Sequence, residues 1–62
     1  MNESVRIEQA REQGRQARRA TKPIGANPFR GNTPLVRSLH QAFAEGWRDE
    51  DAEKRAARAV SR

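Results

Sequence analysis

The sequence has no cysteine, no tyrosine, one tryptophan and two phenylalanines among its 62 residues. Without cysteine the chain forms neither a disulfide nor a thiolate zinc site. A chain this short, with 34% hydrophobic residues, buries only a small core. We therefore expect any compact structure to form where Phe29, Phe43 and Trp47 meet, because large apolar side chains are so scarce.

Long apolar runs are also missing. The longest, residues 42–44, is far too short to span a membrane, and the first residues lack the apolar segment of a signal peptide. We therefore expect a cytoplasmic protein with no membrane partner. The single histidine, His40, has no obvious companions for a zinc site or a catalytic triad, and we expect it at the boundary of the core. The sequence thus predicts no metal site, no cofactor and no catalytic residue.

Bases outnumber acids by 13 to 8, which gives a net charge of +5. Only Lys22 and Lys54 are lysines, and arginine is the base that favours bidentate contacts with phosphate and stacking on nucleobases. The excess lies mainly in residues 1–22. Charge and its distribution favour an anionic partner such as RNA, although a solvated basic surface has the same composition.

Residues from about 4 to 20 are predicted to form one helix, because Glu, Gln, Arg and Ala dominate and no proline precedes Pro23. Small or apolar side chains recur on one narrow face at Ile7, Ala10, Gly14 and Ala17. Glycine inside a helix is about 1 kcal/mol less favourable than alanine. Gly14 therefore indicates that another element packs closely against this face.

The adjoining face of this helix carries a stripe of basic residues. Its members are Arg11, Arg15, Arg18, Arg19 and Lys22. We expect it to bind phosphates, because between residues 11 and 22 only Glu12 is available to neutralise it. The alternative is a solvated face with ion pairs three residues apart, Glu8 with Arg11 and Glu12 with Arg15.

Residues 21–33 are predicted to be a connecting loop that contains Pro23 and Pro28. Thr33 followed by Pro34 is typical of a helix N-cap and first helical position. A second helix is predicted from about 34 to 48, with a continuation towards residue 60 left open. Its apolar face comprises Leu35, Val36, Leu39, Ala42, Phe43 and Trp47.

The simplest assembly is a single small all-α domain over residues 1–62, in which the two helices pack as an antiparallel-like hairpin. Gly14 and Gly46 would then mark the closest approach. The residues after 48 are mostly charged, so we expect a solvated helical extension that frays. Glu50 with Lys54, and Asp51 with Arg55, are spaced for ion pairs along it.

Three short motifs in order carry a resemblance. They are Ala10-x-x-x-Gly14-x-x-Ala17, Asn27-Pro28-Phe29 and Phe43-x-x-Gly46-Trp47-Arg48. This arrangement resembles the ribosome modulation factor family, whose pattern runs A-x-x-x-G-x-x-A, then C-P-Y, then W-x-x-G-W-R. The resemblance covers roughly residues 10 to 48.

The resemblance implies two helices with a connecting loop, and a protein that binds small-subunit ribosomal RNA and inactivates ribosomes. Asn27 replaces the family's cysteine, Phe43 its first tryptophan, Arg15 a tyrosine and Arg18 a second glycine, and the connection after Phe29 is longer. The aromatic exchanges preserve a core, whereas the two arginines change surface chemistry. The implied fold therefore transfers better than the implied partner.

The resulting hypothesis is a ribosome-associated, RNA-binding protein rather than an enzyme, with a homodimer left open. Arg30, Arg37 and Arg48 would complete the rim of the basic stripe. One alternative is a phage- or plasmid-borne basic protein with another cellular target. Another is a phosphotransferase like the ciprofloxacin-resistance group of the same superfamily, but residues 25–31 lack the Gly-Lys-Ser/Thr of a phosphate loop.

Overall fold

The computed structural model describes residues 3–60, which form two helices and one short 3-10 turn. Helix α1 spans Glu3–Arg19, the 3-10 turn Ile24–Ala26, and helix α2 Pro34–Val60. No strand occurs in residues 3–60, so the all-α, two-helix prediction is confirmed for that range. Neither helix there is long and apolar enough to cross a bilayer.

Two backbone hydrogen bonds end α1. The Lys22 amide donates to the Ala17 carbonyl at 2.9 Å, and the Thr21 amide donates to the Arg18 carbonyl at 3.0 Å. This is the Schellman arrangement, in which the residue after the helix adopts a left-handed conformation. Thr21 does so with φ 60°, which is rare for a β-branched residue. The chain therefore reverses sharply after α1.

The predicted start of α2 is confirmed. The Thr33 hydroxyl accepts a hydrogen bond from the Val36 amide at 3.2 Å, and the Thr33 carbonyl accepts one from the Arg37 amide at 3.0 Å. Pro34 occupies the first helical position, where its missing amide hydrogen has no helical partner to lose. Thr33 is thus a true N-cap.

The two helices run roughly parallel, so the antiparallel-like direction expected from the sequence is wrong. Arg11 lies opposite Glu45, and Arg18 opposite Asp51, so the contacts advance in the same direction along both helices. The connection makes this possible because it runs back along α2. Its course is shown by two contacts, Lys22 to Trp47 and, nearer the start of α2, Asn27 to His40.

The helices approach most closely at Gly14 and Gly46, as predicted. A Cβ atom on Gly14 would overlap the Phe43 carbonyl and lie 2.9 Å from the Trp47 amide nitrogen. A Cβ on Gly46 would overlap the Arg11 carbonyl. The two backbones are therefore in direct contact, and any larger residue at either position would push them apart.

The apolar core is small. Only Ala10, Ala42 and Phe43 are buried apolar side chains within the described range. Phe29 lies edge-on to Phe43, with ring centroids 6.3 Å apart and planes at 67°. Trp47 is half-buried. The core thus consists of small residues at the helix contact and one aromatic pair under the connection.

Asn27 fixes the connection to α2. Its buried side chain donates from Nδ2 to the His40 carbonyl at 2.9 Å and accepts at Oδ1 from the Phe29 amide at 3.0 Å. His40 Nδ1 in turn lies 2.9 Å from the Phe29 carbonyl oxygen. Both polar ends of Asn27 are satisfied, so it holds the loop in one place.

The C-terminal half of α2 differs from the solvated extension that was expected. The helix continues without a break to Val60, and Glu50 is buried against α1. Lys54 Nζ donates to the Arg18 carbonyl at 3.1 Å and so gives this carbonyl at the end of α1 a second donor beside the Thr21 amide. Glu50, Asp51 and Lys54 therefore lie in the helix interface, whereas residues 49, 52, 53 and 55–59 are exposed.

Candidate functional site

The basic stripe of α1 lies against the acidic residues of α2. We call this contact the ion-pair seam; it comprises Arg11, Arg15, Arg18 and Arg19 of α1 and Glu45, Asp49, Glu50, Asp51 and Glu53 of α2. The shortest pair joins Arg18 Nε to Asp51 Oδ1 at 2.8 Å. Arg11 Nη2 lies 3.0 Å from Glu45 Oε2.

Glu50 and Arg15 are the branching points of the seam. Arg15 Nη1 lies 3.4 Å from Glu50 Oε1 and 3.1 Å from Glu53 Oε2. Glu50 Oε1 also accepts from Arg19 Nε at 3.2 Å. The Glu50 side chain is only 10% exposed, so its negative charge is poorly solvated. The ion pairs with these arginines compensate for that lost solvation.

The seam shifts the pKa values of its central groups. The hydrogen bond from Arg19 lowers the pKa of Glu50 below its ordinary value, and the same contact raises the pKa of Arg19. The hydrogen bond from Arg18 likewise lowers the pKa of Asp51, with the charges of Arg55 and Arg18 adding to the effect. Both carboxyl groups are therefore firmly ionised at neutral pH.

The expectation that the stripe has too few acids to neutralise it is wrong. Apart from Glu12, whose Oε1 lies 4.0 Å from Arg19 Nη1, its acids come from α2, more than thirty residues along the chain. The alternative pairs at i,i+3 spacing, Glu8 with Arg11 and Glu12 with Arg15, do not form within residues 3–60. The expected pair of Asp51 with Arg55 is present at 3.1 Å. The expected pair of Glu50 with Lys54 does not form within residues 3–60, and Lys54 donates to the Arg18 carbonyl instead. That the seam arginines bind RNA stays a prediction, now for side chains that already have partners.

Trp47 lies at the edge of the seam. Its Nε1 donates to the Lys22 carbonyl at 2.8 Å, and the Arg18 guanidinium carbon lies 5.5 Å from the ring centroid. This is a cation–π distance. Trp47 therefore holds three segments together, namely α2, the end of α1 and the start of the connection.

Several bases have no ion pair within residues 3–60. They are Arg6, Lys22, Arg30, Arg37, Lys54, Arg48 and Arg58. Lys22, Arg30, Arg37 and Arg48 are the other four basic residues that the sequence predicts as RNA contacts, and all four are exposed. Because the acids of α2 offset the seam arginines, the net positive charge of the chain falls on such unpaired bases.

Two of these bases line a shallow basin beside the start of α2. It has a volume of about 290 Å³ and is lined by Phe29, Arg30, Gly31, Arg37 and His40, and we call it the loop basin. Arg48 lies three helical turns beyond Arg37 on the same outward side of α2, at about 3.6 residues per turn. Exposed Gln41 stands between them and donates from Nε2 to Glu45 Oε1 at 3.3 Å, so the Glu45 carboxylate borders this side.

A second, wider groove lies on the other side of the connection. It has a volume of about 580 Å³, and its lining is uncharged apart from Lys22. The acids Asp49, Glu50 and Asp51 point into the seam instead of converging on an open site. Within residues 3–60 no group of three or more histidine or acidic side chains is placed to hold a metal ion.

No protein-family model, curated protein or solved structure matches this chain. The structure defines a small two-helix protein with a paired arginine seam on one side and unpaired arginines on another.

Proposed function

We propose that this protein binds RNA and acts on the small ribosomal subunit, inhibiting or hibernating ribosomes as its resemblance to the ribosome modulation factor family implies. The observation that supports RNA binding best is the position of Arg30, Arg37 and Arg48. All three are exposed and have no ion pair within the described residues; Arg30 and Arg37 line the loop basin, and Arg48 lies three helical turns beyond Arg37 on the same side of α2. Guanidinium groups in such an arrangement suit a phosphate backbone.

The proposed contact surface therefore differs from the stripe expected on α1. A phosphate approaching Arg15 or Arg18 must displace carboxylates 2.8–3.4 Å away, whereas Arg37 and Arg48 have no ion-pair partner to displace within residues 3–60. We assign phosphate contact to Arg30, Arg37 and Arg48, with exposed Lys22 as an outlying contact. The seam arginines hold the two helices in the geometry that presents this surface.

We propose a binding protein rather than an enzyme, working in the cytoplasm where ribosomes are. The basin and the groove are open, and neither brings together a general base, a metal-binding carboxylate pair and a phosphate loop. Electrostatic capture needs none of these groups. It needs only that each phosphate contact release a counterion, so binding should weaken as salt rises.

The test compares two double variants that remove the same charge. Arg37→Gln with Arg48→Gln alters the proposed surface, and Arg11→Gln with Arg19→Gln alters exposed members of the seam. Sedimentation with small subunits and titration of a ribosomal RNA fragment over a range of salt should show weaker binding for the first variant. Its salt slope should fall by about two, one for each lost phosphate contact.

The control variant should keep its salt slope, because its guanidinium groups are already neutralised. If the seam variant loses more affinity for RNA than the surface variant, the phosphates bind the arginines of α1 instead. Recovery of the protein with a partner that survives nuclease treatment would instead support an acidic protein target. Absence of salt-dependent binding to any RNA by the wild-type protein would reject the proposed function.

A further inference from the structure

We infer that the loop basin is a binding site for one unstacked nucleotide of a single-stranded RNA, with the base against Phe29 and the flanking phosphates at Arg30 and Arg37. This inference rests on the proposed function and adds the form of RNA that is recognised. Three observations carry it: the composition of the basin, its rigidity and its shape.

The basin combines the two kinds of group that single-stranded nucleic acids need. Phe29 supplies an aromatic surface, and Arg30 and Arg37 supply positive charge without an ion pair in residues 3–60. Proteins that bind single strands pair aromatic platforms with basic grooves in this way. Phe29 is the only aromatic residue with this setting, because Phe43 is buried and Trp47 is held between Arg18 and Lys22.

The basin is built before any ligand arrives. Asn27 holds the Phe29 amide and the His40 carbonyl at 3.0 and 2.9 Å, and the Phe29 ring rests on Phe43. The loop backbone and the Phe29 ring therefore lose little conformational freedom on binding, which favours affinity. Asn27 is buried and does not itself line the basin, so its hydrogen bonds to Phe29 and His40 are a reason for a polar residue at its position.

His40 adds a directional contact. The Phe29 carbonyl can only accept, so the hydrogen bond at 2.9 Å places a proton on His40 Nδ1. In the neutral imidazole Nε2 is then an acceptor, and it has no protein partner within residues 3–60. A ribose 2′-hydroxyl or a base amino group can donate to it, which a phosphate cannot.

The shape of the basin separates single strands from duplexes. At about 290 Å³ it lies at the lower end of ligand-site volumes, which begin near 300 Å³, and suits one nucleotide. A base reaches an aromatic ring only when it is out of its helical stack. A duplex would present only phosphates here, so it would contact Arg30 and Arg37 without Phe29.

The test uses a fluorescein-labelled RNA decamer, alone and annealed to its complement, with the full-length protein. We expect the wild type to bind the single strand about tenfold more tightly than the duplex. Phe29→Leu keeps an apolar contact with Phe43 but removes the ring. It should weaken single-strand binding by about tenfold and change duplex binding less than about twofold.

Equal wild-type affinity for the two forms, or an equal loss for both in Phe29→Leu, would overturn the basin and leave the proposed function standing. If neither form binds in a salt-dependent way, the proposed function itself fails. If Phe29→Leu loses its helical circular dichroism signal, NMR spectra of the wild-type protein with each RNA form provide the test instead. The Phe29 ring and His40 Hε1 signals should then shift with the single strand and not with the duplex, and unchanged signals would reject the site.

Discussion

Gly14 and Gly46 show how much a single residue decides in a chain this small. At both positions a Cβ atom would overlap a backbone carbonyl of the other helix, and backbone cannot rotate away as a side chain can. The sequence already indicated Gly14 as a contact, because glycine is unfavourable inside a helix without such a reason. The structure adds which atoms it touches.

Gly14→Ala should therefore destabilise the protein by about 1–3 kcal/mol through overpacking, even though alanine gains about 1 kcal/mol in helix propensity. Thermal unfolding followed by circular dichroism at 222 nm measures the change. Gly25→Ala is the matched control, because no atom lies within 4 Å of its Cβ position. Equal melting temperatures for the two variants would contradict the close contact.

Trp47 is the second residue with a large individual effect. Trp47→Phe keeps most of the ring but loses the hydrogen bond from Nε1 to the Lys22 carbonyl, so it should cost about 0.5–1.5 kcal/mol. Trp47→Ala should cost about 3 kcal/mol, near the lower limit for large-to-small changes because the ring is half-buried, and leave most of the chain unfolded. Denaturant unfolding measures both. A native-like Trp47→Ala spectrum would show that the ring is dispensable.

At the scale of elements, the two helices are joined by charge as much as by apolar contact. The seam supplies most of the long side chains at the interface, while the buried apolar residues other than Phe43 are alanines. Glu50 and Asp51 have lowered pKa values in the folded protein because Arg19 and Arg18 donate to them. Their contribution to stability is thus tied to pH.

The sign of this dependence follows from linkage. A carboxyl group whose pKa is lower when folded contributes stability that is complete above its unfolded pKa, about 4, and is lost as the pH falls through the folded value. Helicity should hold from neutral pH to about pH 5 and then decline as the solution is acidified. Glu50→Gln with Asp51→Asn should be less stable at pH 7 and show a flatter acid profile. If helicity falls with pH in the same way in the variant and the wild type, the seam does not contribute to the stability of the fold.

At the scale of the whole molecule, the second half of α2 decides whether the first helix stays in place. Residues 49–54 supply four of the five seam acids and the lysine that caps the end of α1. The remaining residues from 55 to 59 are exposed. The fold therefore depends on a segment that reads as a charged tail in the sequence.

Ending the chain after residue 48 should consequently abolish most helicity, including that of α1, rather than remove only the deleted residues' share. Ending it after residue 55 keeps the seam and the pair of Asp51 with Arg55, so that shortened chain should fold. Circular dichroism per residue distinguishes the two. A folded chain that stops at residue 48 would show that the apolar contact alone suffices.

The charge distribution is also a property of the whole molecule. Folding turns the acids of α2 towards α1 and leaves Arg37 and Arg48 on the outward side. The same chain, unfolded, would have its excess of bases in the first 22 residues. The site proposed for RNA is therefore a result of packing.

Local chemistry alone determined the two helices and the Thr33 cap, because each depends on neighbours a few residues apart. The glycines within the helices already indicated close contact, because glycine is unfavourable there without such a reason. Only the tertiary structure decided the parallel direction, the pairing of Arg11, Arg15, Arg18 and Arg19, and the bases left unpaired. These depend on which residues of α2 come to lie beside α1. That alignment is set by a connection anchored through Asn27 and Trp47, and no periodicity within either helix encodes it.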